Sequence, residues 1–352
     1  MGGFNMHFDI APPPHGGDLE TWQRQFNEAM HWLDLSSACN REPWPIPALD
    51  PRLWYELPDQ VRLYQAAQEF FGVSPIAVGA GTQQLIEVLP PLFESQGVGK
   101  TVMVPLVGYQ EHGFCWQKWG YTLHHYESVS ELLERDWDVA VVIHPNNPTG
   151  ELVSEALKQA LQHRLSLSPS RRLIVDEAFM DASPESSWLR GTLPEQCVVL
   201  RSVGKFFGLA GARVGFAFGA ESLRTPLRAL CGPWPVATPA LELVARALED
   251  RAWQVEASAS IEERNAYFAA HIVPKLNTLF DSQERSNTAL FSTWRTTPEQ
   301  AKKAFEALHG VGIHIRLGQG WVRVSLPAGH EMNRLNQALV KLLQGHQLKE
   351  LG

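Results

Sequence analysis

Between residues 101 and 219 the chain carries short apolar, β-branched runs separated by helical or turn patterns. The runs are 101–107 (TVMVPLV), 138–143 (DVAVVI), 173–175, 198–200 and 213–219 (RVGFAFG), and 154–165 is one of the helical patterns between them. A run such as DVAVVI lacks polar alternation, so it suits a strand buried on both faces. Strands that alternate with helices predict an α/β fold, a mostly parallel sheet covered by helices. In such sheets ligands bind at the carboxyl ends of the strands.

The flanks read differently. Residues 12–17 (PPPHGG) read as an extended arm, and Asp18 as the N-cap of a helix reaching about Leu33. Residues 34–58 are irregular and rich in Pro and Trp, and 60–71 form a helix that stops at Gly72. Beyond Pro239 come long helices to about Leu279, then short strands (289–293, 312–316, 321–325) mixed with helices (298–308, 331–343). The expected organisation is an N-terminal arm over 1–40 packing on a small domain, a large domain over 41–236, and that small α+β domain over 237–352.

Composition narrows the function classes. The 352 residues are 44% hydrophobic, ample for a large core, which excludes wholesale disorder. Lys+Arg number 30 against 38 Asp+Glu, a net charge of −8. That argues against nucleic acid or an anionic membrane as the main partner, since both need a positive field. No apolar stretch is long enough to span a bilayer and no secretory signal is visible, so the expectation is a cytoplasmic protein. The four cysteines are scattered and the 13 histidines form no H-E-x-x-H, so neither disulfides nor a metal site are expected.

Four polar signals fall beside these runs. Gly79-Ala80-Gly81-Thr82-Gln83 opens a helix and would present backbone N–H groups to an anion. Ile143 leads into His144-Pro145-Asn146-Asn147-Pro148-Thr149-Gly150, Val175 into Asp176-Glu177-Ala178-Phe179, and Leu200 into Arg201-Ser202-Val203-Gly204-Lys205. Each alone has an ordinary structural use: a turn, an N-cap, a solvated lysine. A carboxylate straight after a buried strand needs a cation or donor. A lysine among small residues becomes a nucleophile when its pKa is lowered.

Taken in order, these four signals resemble the fold-type I pyridoxal-5′-phosphate (PLP) enzymes of the class I/II aminotransferase superfamily. The motifs are N-N-P-T-G (146–150), D-E-A-F (176–179) and R-S-V-G-K-F-F-G-L-A-G-A-R-V-G (201–215). The histidinol-phosphate aminotransferase branch is closest, and within it the L-threonine-O-3-phosphate decarboxylases of cobalamin biosynthesis. The pointers there are H-G-G (15–17), D-L-S-S-A-C-N (34–40), P-W-P-V (233–236) and Phe179.

The resemblance implies roles. Lys205 would hold PLP covalently and shuttle protons at the substrate α-carbon. Asp176 would pair with the pyridinium nitrogen, and Asn147 would hydrogen-bond the ring O3′. Phe179 stands where the family often has Tyr, so one O3′ donor is missing. The PLP phosphate would sit at Gly81, Thr82 and Gln83, with Ser202 and Arg213. Tyr109 would stack on the ring, with His112 close by. Tyr55 would reach the PLP phosphate of a neighbouring subunit, which implies a homodimer with shared active sites. Arg323 would bind the substrate α-carboxylate and Arg316 its phosphate, with His15 and Asn40 lining that pocket. The implied reaction is decarboxylation of a small phosphorylated amino acid. The alternatives are transamination, as by histidinol-phosphate aminotransferase, and a non-catalytic binding module.

Overall fold

The computed structural model describes residues 11–14, 16–24 and 31–350, the stretch 345–350 by backbone alone. The chain divides into two compact units. The larger holds Trp44–Arg251 and the smaller Pro14–Pro43 with Ala252–Gly352. The division therefore falls beyond residue 236, the boundary expected from sequence.

In chain order the smaller unit begins with helix α1 (Leu19–Gln23) and strand β1 (Leu33–Asp34). The helix expected to run from Asp18 to about Leu33 is described only to Gln23; residues 25–30 lie outside the described residues. Asp18 stands at the start of α1, but its side chain makes no capping hydrogen bond.

The larger unit follows with α2 (Val61–Phe71), β2 (Ala77–Ala80), α3 (Gly81–Ser95), β3 (Thr101–Pro105), α4 (Glu111–Lys118), β4 (Thr122–Tyr126) and β5 (Val139–Ile143). It continues with α5 (Glu155–Ser166), β6 (Arg172–Asp176), β7 (Cys197–Ser202), β8 (Val214–Phe218), α6 (Arg224–Cys231) and α7 (Thr238–Glu249). Its strands form one seven-stranded sheet in the order β2-β8-β7-β6-β5-β3-β4. The five strands from β7 to β4 pair in parallel, and β8 runs antiparallel to both β7 and β2. All five residues of β5 are buried, as a strand without polar alternation requires when both faces are covered. Helix α7 belongs to this unit because it packs on α2, where Arg62 pairs with both Glu242 and Glu249 at 2.7 Å.

In the smaller unit, α8 (Arg251–Tyr267) passes through a π-helical turn, Phe268–Ile272, into α9 (Val273–Phe280). Then come β9 (Arg285–Asn287), β10 (Phe291–Arg295), α10 (Pro298–His309), β11 (Ile313–His314), β12 (Arg316–Gly318), β13 (Trp321–Ser325) and α11 (Gly329–Glu350). Four of these strands make an antiparallel sheet, β12-β13-β10-β9, and β1 pairs in parallel with β11. Strand β1 thus belongs with the C-terminal strands of the smaller unit although it lies far from them in sequence.

Candidate functional site

The polar signals of the larger unit emerge on one edge of its sheet. Ile143 is registered with Asp176, Asp176 with Leu200, Ser202 with Gly215 and Ala80 with Val214. Because β8 is reversed, its first residues lie beside the last residues of β7 and β2. The loops carrying Gly81, Asn147, Asp176, Ser202, Lys205 and Arg213 therefore all leave from this edge, at the carboxyl ends of the parallel strands.

The start of α3 packs closely against Arg213 and Gly215. Gly81 has φ +72°, and a Cβ there would lie 2.6 Å from Arg213 Nη2. A Cβ at Gly215 would lie 2.4 Å from the backbone nitrogen of Thr82. Only glycines let the arginine and the first turn of α3 approach this closely. Gly81 N–H donates to the Arg213 carbonyl at 3.0 Å. Arg213 itself has φ +51°, a left-handed conformation that non-glycine residues rarely keep without a functional constraint. The first-turn amides of a helix have no intrahelical acceptor, so those of Thr82 and Gln83 and the Arg213 guanidinium suit a phosphate. Ser202 is half-buried, and its Oγ accepts from Gly204 N–H at 3.3 Å.

Asp176 is buried at the end of β6. Its Oδ2 lies 2.9 Å from His112 Nε2, and its Oδ1 accepts from Ala178 N–H at 3.0 Å. His112 is itself buried on α4, and its Nδ1 has no hydrogen-bond partner among the described residues. Tyr109 packs edge-on against His112 with ring centres 6.1 Å apart. The Tyr109 hydroxyl donates to Gln83 Oε1 at 3.1 Å, and Gln83 Nε2 donates to buried Glu111 Oε2 at 2.7 Å. Burial first, and the Glu111 carboxylate second, push the Tyr109 hydroxyl pKa up, so it stays a neutral donor. This Glu111–Gln83–Tyr109 chain joins α3 to α4, and no motif in the sequence announces it.

Lys205 is half-buried, and its Nζ lies 5.2 Å from the centre of the Phe179 ring. Asn147 is half-buried next to Asn146, whose Nδ2 donates to the Val107 carbonyl at 2.8 Å and to Thr149 Oγ1 at 2.9 Å. Two X-Pro bonds in this loop, His144-Pro145 and Asn147-Pro148, are cis. Beneath it, His144 Nε2 lies 3.0 Å from the Ser186 carbonyl and its Nδ1 accepts from Val153 N–H, while burial lowers its pKa.

A buried ion cluster lies under Asp176 and Ser202. Arg201 Nη1 meets Glu177 Oε2 at 2.7 Å, and Arg201 also pairs with Asp181. Glu177 further accepts from Ser187 Oγ and Trp188 N–H, both at 2.6 Å. Each charge thus has a partner, as burial demands. Glu177 and Arg201 stand in D-E-A-F and R-S-V-G-K, which is the one signal that could have exposed it.

The smaller unit carries the two arginines. Arg316 and Arg323 are register partners across β12 and β13. Arg323 is buried, and burial together with the neighbouring Arg316 charge lowers its pKa to about 10. Its Nη2 donates to the Ser36 carbonyl, and Arg316 Nη2 donates to the Pro14 carbonyl at 2.7 Å. Asn40 is buried, with its Oδ1 accepting from Arg264 Nη2 at 2.9 Å and Glu42 N–H at 3.1 Å. His15 lies outside the described residues. In the larger unit, Tyr55 ends the turn Pro51–Trp54 and is 86% exposed.

Comparison with known proteins shows the family. The family model "Aminotransferase class I and II" matches residues 50–342. The chain belongs to the class I and II aminotransferase family. That family is PLP-dependent. The chain is 38% identical over 246 residues to the threonine-phosphate decarboxylase of Pseudomonas aeruginosa, covering 68% of this chain and 72% of that one. It is 34% identical over 269 residues to a threonine-phosphate decarboxylase from Sinorhizobium, covering 74% and 78%. Among solved structures, histidinol-phosphate aminotransferase from Sinorhizobium meliloti, in complex with PLP, aligns with a TM-score of 0.76. That match covers 97% of this chain and 100% of the other at 19% identity, a likeness of fold.

Proposed function

We propose that this class I and II family member is a PLP-dependent decarboxylase acting on L-threonine O-3-phosphate. Its product would be (R)-1-amino-2-propanol O-2-phosphate, for cobalamin biosynthesis. The observation that carries the reading is the Arg316–Arg323 pair. Two arginines paired across neighbouring strands, one of them buried, would suit a ligand with two anionic groups. Threonine phosphate brings a carboxylate and a phosphate. The threonine-phosphate decarboxylases among the relatives favour the same substrate.

The residues of the larger unit fit PLP. The glycine-lined cradle between Gly81, Gly215 and Arg213 suits its phosphate, with the Thr82 and Gln83 amides and Ser202. Asp176 would face the pyridine nitrogen, held in place by His112 and Ala178. Asn147 would donate to O3′, and Tyr109 would cover the ring, its hydroxyl tied to Gln83. Lys205 would bind the cofactor covalently. When bound, PLP supplies the electron sink for the pair left behind by a departing group. In the reaction the Cα–carboxylate bond breaks, CO₂ leaves, and Lys205 delivers a proton to Cα. Arg323 holds the carboxylate and Arg316 the phosphate, with Asn40 and His15 lining the pocket. Phe179, beside Lys205, offers no hydroxyl to O3′.

The chain would act as a cytoplasmic homodimer. Trp54, Tyr55, Leu57 and Val61 are exposed, as is Trp234. These segments adjoin: Gln60 Nε2 donates to the Pro233 carbonyl and Thr238 Oγ1 to the Glu56 carbonyl. A patch of this kind is what a subunit contact covers, and it would bring Tyr55 to a partner's cofactor. No helix among the described residues is long and apolar enough to cross a membrane.

The test is to incubate the PLP-loaded protein with O-phospho-L-threonine and no keto acid. Stoichiometric CO₂ supports the reading. Glutamate formation from histidinol phosphate and 2-oxoglutarate, with no CO₂ from phosphothreonine, would replace it by transamination.

A further inference from the structure

Three residues of the smaller unit form a buried hydrogen-bonded chain that the roles above leave unused. His314 Nε2 lies 3.1 Å from Asp18 Oδ1, and His314 Nδ1 lies 2.8 Å from His309 Nε2. Both imidazoles are buried. Trp22 Nε1 donates to the other Asp18 oxygen at 3.1 Å. The Trp22 ring packs edge-on against Phe305 at 5.0 Å and His309 at 5.3 Å.

With both rings neutral, the protons along this chain have one consistent arrangement. Burial works to raise the Asp18 pKa, but the bonds from Trp22 and His314 outweigh it and hold Asp18 below the usual carboxylate range. An ionised Asp18 only accepts, so His314 must carry its proton on Nε2. His314 Nδ1 is then an acceptor, and His309 must donate from Nε2. Asp18 therefore dictates the tautomer of two rings in succession, a directional link that apolar packing would lack.

What this chain holds is an arm that touches Arg316 directly and Arg323 only by way of Ser36. Asp18 directly follows His15-Gly16-Gly17. The Pro14 carbonyl accepts from Arg316, and Gly17 N–H donates to Ser36 Oγ at 3.1 Å. The Ser36 carbonyl accepts from Arg323. A Cβ at Gly16 would lie 3.1 Å from the Ser36 carbonyl oxygen, so arm and loop are in close contact. His314 sits two residues before Arg316. The helix that Asp18 precedes does not use its carboxylate as a cap, which leaves the carboxylate for this link.

We propose that Asp18, His314 and His309 are positioning residues, an Asp–His–His latch that fixes residues 14 and 16–18 and through them the aim of Arg316 and, by way of Ser36, of Arg323. The identity of the anionic substrate rests on the function proposed above; the latch itself rests on this geometry.

The experiment compares full-length, PLP-loaded wild type with Asp18→Ala and with the milder His309→Phe, which keeps the aromatic packing should the first variant fold poorly. Hydrogen exchange by mass spectrometry follows peptides over 14–24 and 34–40, with peptides over 77–218 as reference. Steady-state kinetics use O-phospho-L-threonine. The latch predicts faster exchange in the arm alone and an unchanged PLP absorbance band. It also predicts KM raised about ten-fold, the loss expected for a charge-assisted hydrogen bond, while kcat stays within about three-fold. Unchanged arm exchange in both variants, or kcat falling with KM unmoved, overturns it. Should the wild type not decarboxylate phosphothreonine, the substrate reading fails separately. The affinity for inorganic phosphate, from thermal shifts, then replaces KM: weakening in both variants supports the latch and equal affinity overturns it.

Discussion

Arg316 and Arg323 stand directly opposite each other on antiparallel strands β12 and β13, with no residue between them in register. Cross-strand partners project from the same face of a sheet, and like charges so placed repel. Burial first, and the neighbouring Arg316 charge second, lower the Arg323 pKa. The smaller unit thus places two cations as direct cross-strand neighbours.

A consequence is measurable without turnover. Arg316→Gln relieves the repulsion, so the free protein should be as stable as wild type or up to about 1 kcal/mol more stable. Phosphate should raise the wild-type melting temperature and have little effect on the variant, because a ligand stabilises only the state it binds. Equal phosphate stabilisation of both proteins would show that the pair is not an anion site.

The Tyr109–Gln83 bond separates two contributions to cofactor binding. Tyr109→Phe keeps the ring face and loses only the hydrogen bond to Gln83. PLP affinity, titrated by absorbance, should fall by no more than about ten-fold. Tyr109→Ala loses the ring as well and should bind more weakly still. Identical affinities for the two variants would mean that the Tyr109 ring does not cover the cofactor.

Arg201, Glu177 and Asp181 are buried together behind Asp176 and Ser202. Removing one partner of a buried ion pair strands the other, at a cost of about 3–5 kcal/mol. Arg201→Met should therefore lower stability in urea by that order and leave two carboxylates without their cation. A loss below about 1 kcal/mol would contradict the role given to this cluster.

Much of the larger unit was legible in sequence because its core strands are self-declaring. β5 and β7 are apolar runs, and the polar residue after each run marks the edge where chemistry gathers. Strand β2 was not legible: its four residues, Ala-Val-Gly-Ala, are too short and small to signal a strand, and only pairing with β8 makes one. Asp18 misled for a related reason. A carboxylate before a helix reads as a cap, but here its partners are Trp22 and the distant His314. The Glu111–Gln83–Tyr109 chain was hidden in the same way, since its bonds cross between helices that only the fold brings together. Polar networks between remote residues leave no periodic trace.

Acid should loosen the smaller unit in a defined window. Burial, with the nearby His314 charge second, lowers His309 from its ordinary 6.5 to about 4. Between those values the unfolded chain binds a proton that the folded chain does not, so stability falls as pH drops from 6.5 towards 4. Asp18, held below 3.8, withdraws its own contribution only at still lower pH. Urea unfolding of wild type and His309→Phe across pH 7 to 4 checks this. The variant should lose less stability over that window, and parallel curves would contradict the assignment.

The proposed reaction breaks the bond from Cα to the carboxylate rather than the bond to hydrogen. The most direct measurement is turnover of O-phospho-L-threonine in D₂O without keto acid, followed by mass spectrometry. The expected product is an amino-alcohol phosphate that has lost CO₂ and carries one carbon-bound deuterium, with Lys205→Ala slower by about three orders of magnitude. A keto-acid phosphate, or deuterium entering the α-carbon of unchanged phosphothreonine with no CO₂ released, would contradict it.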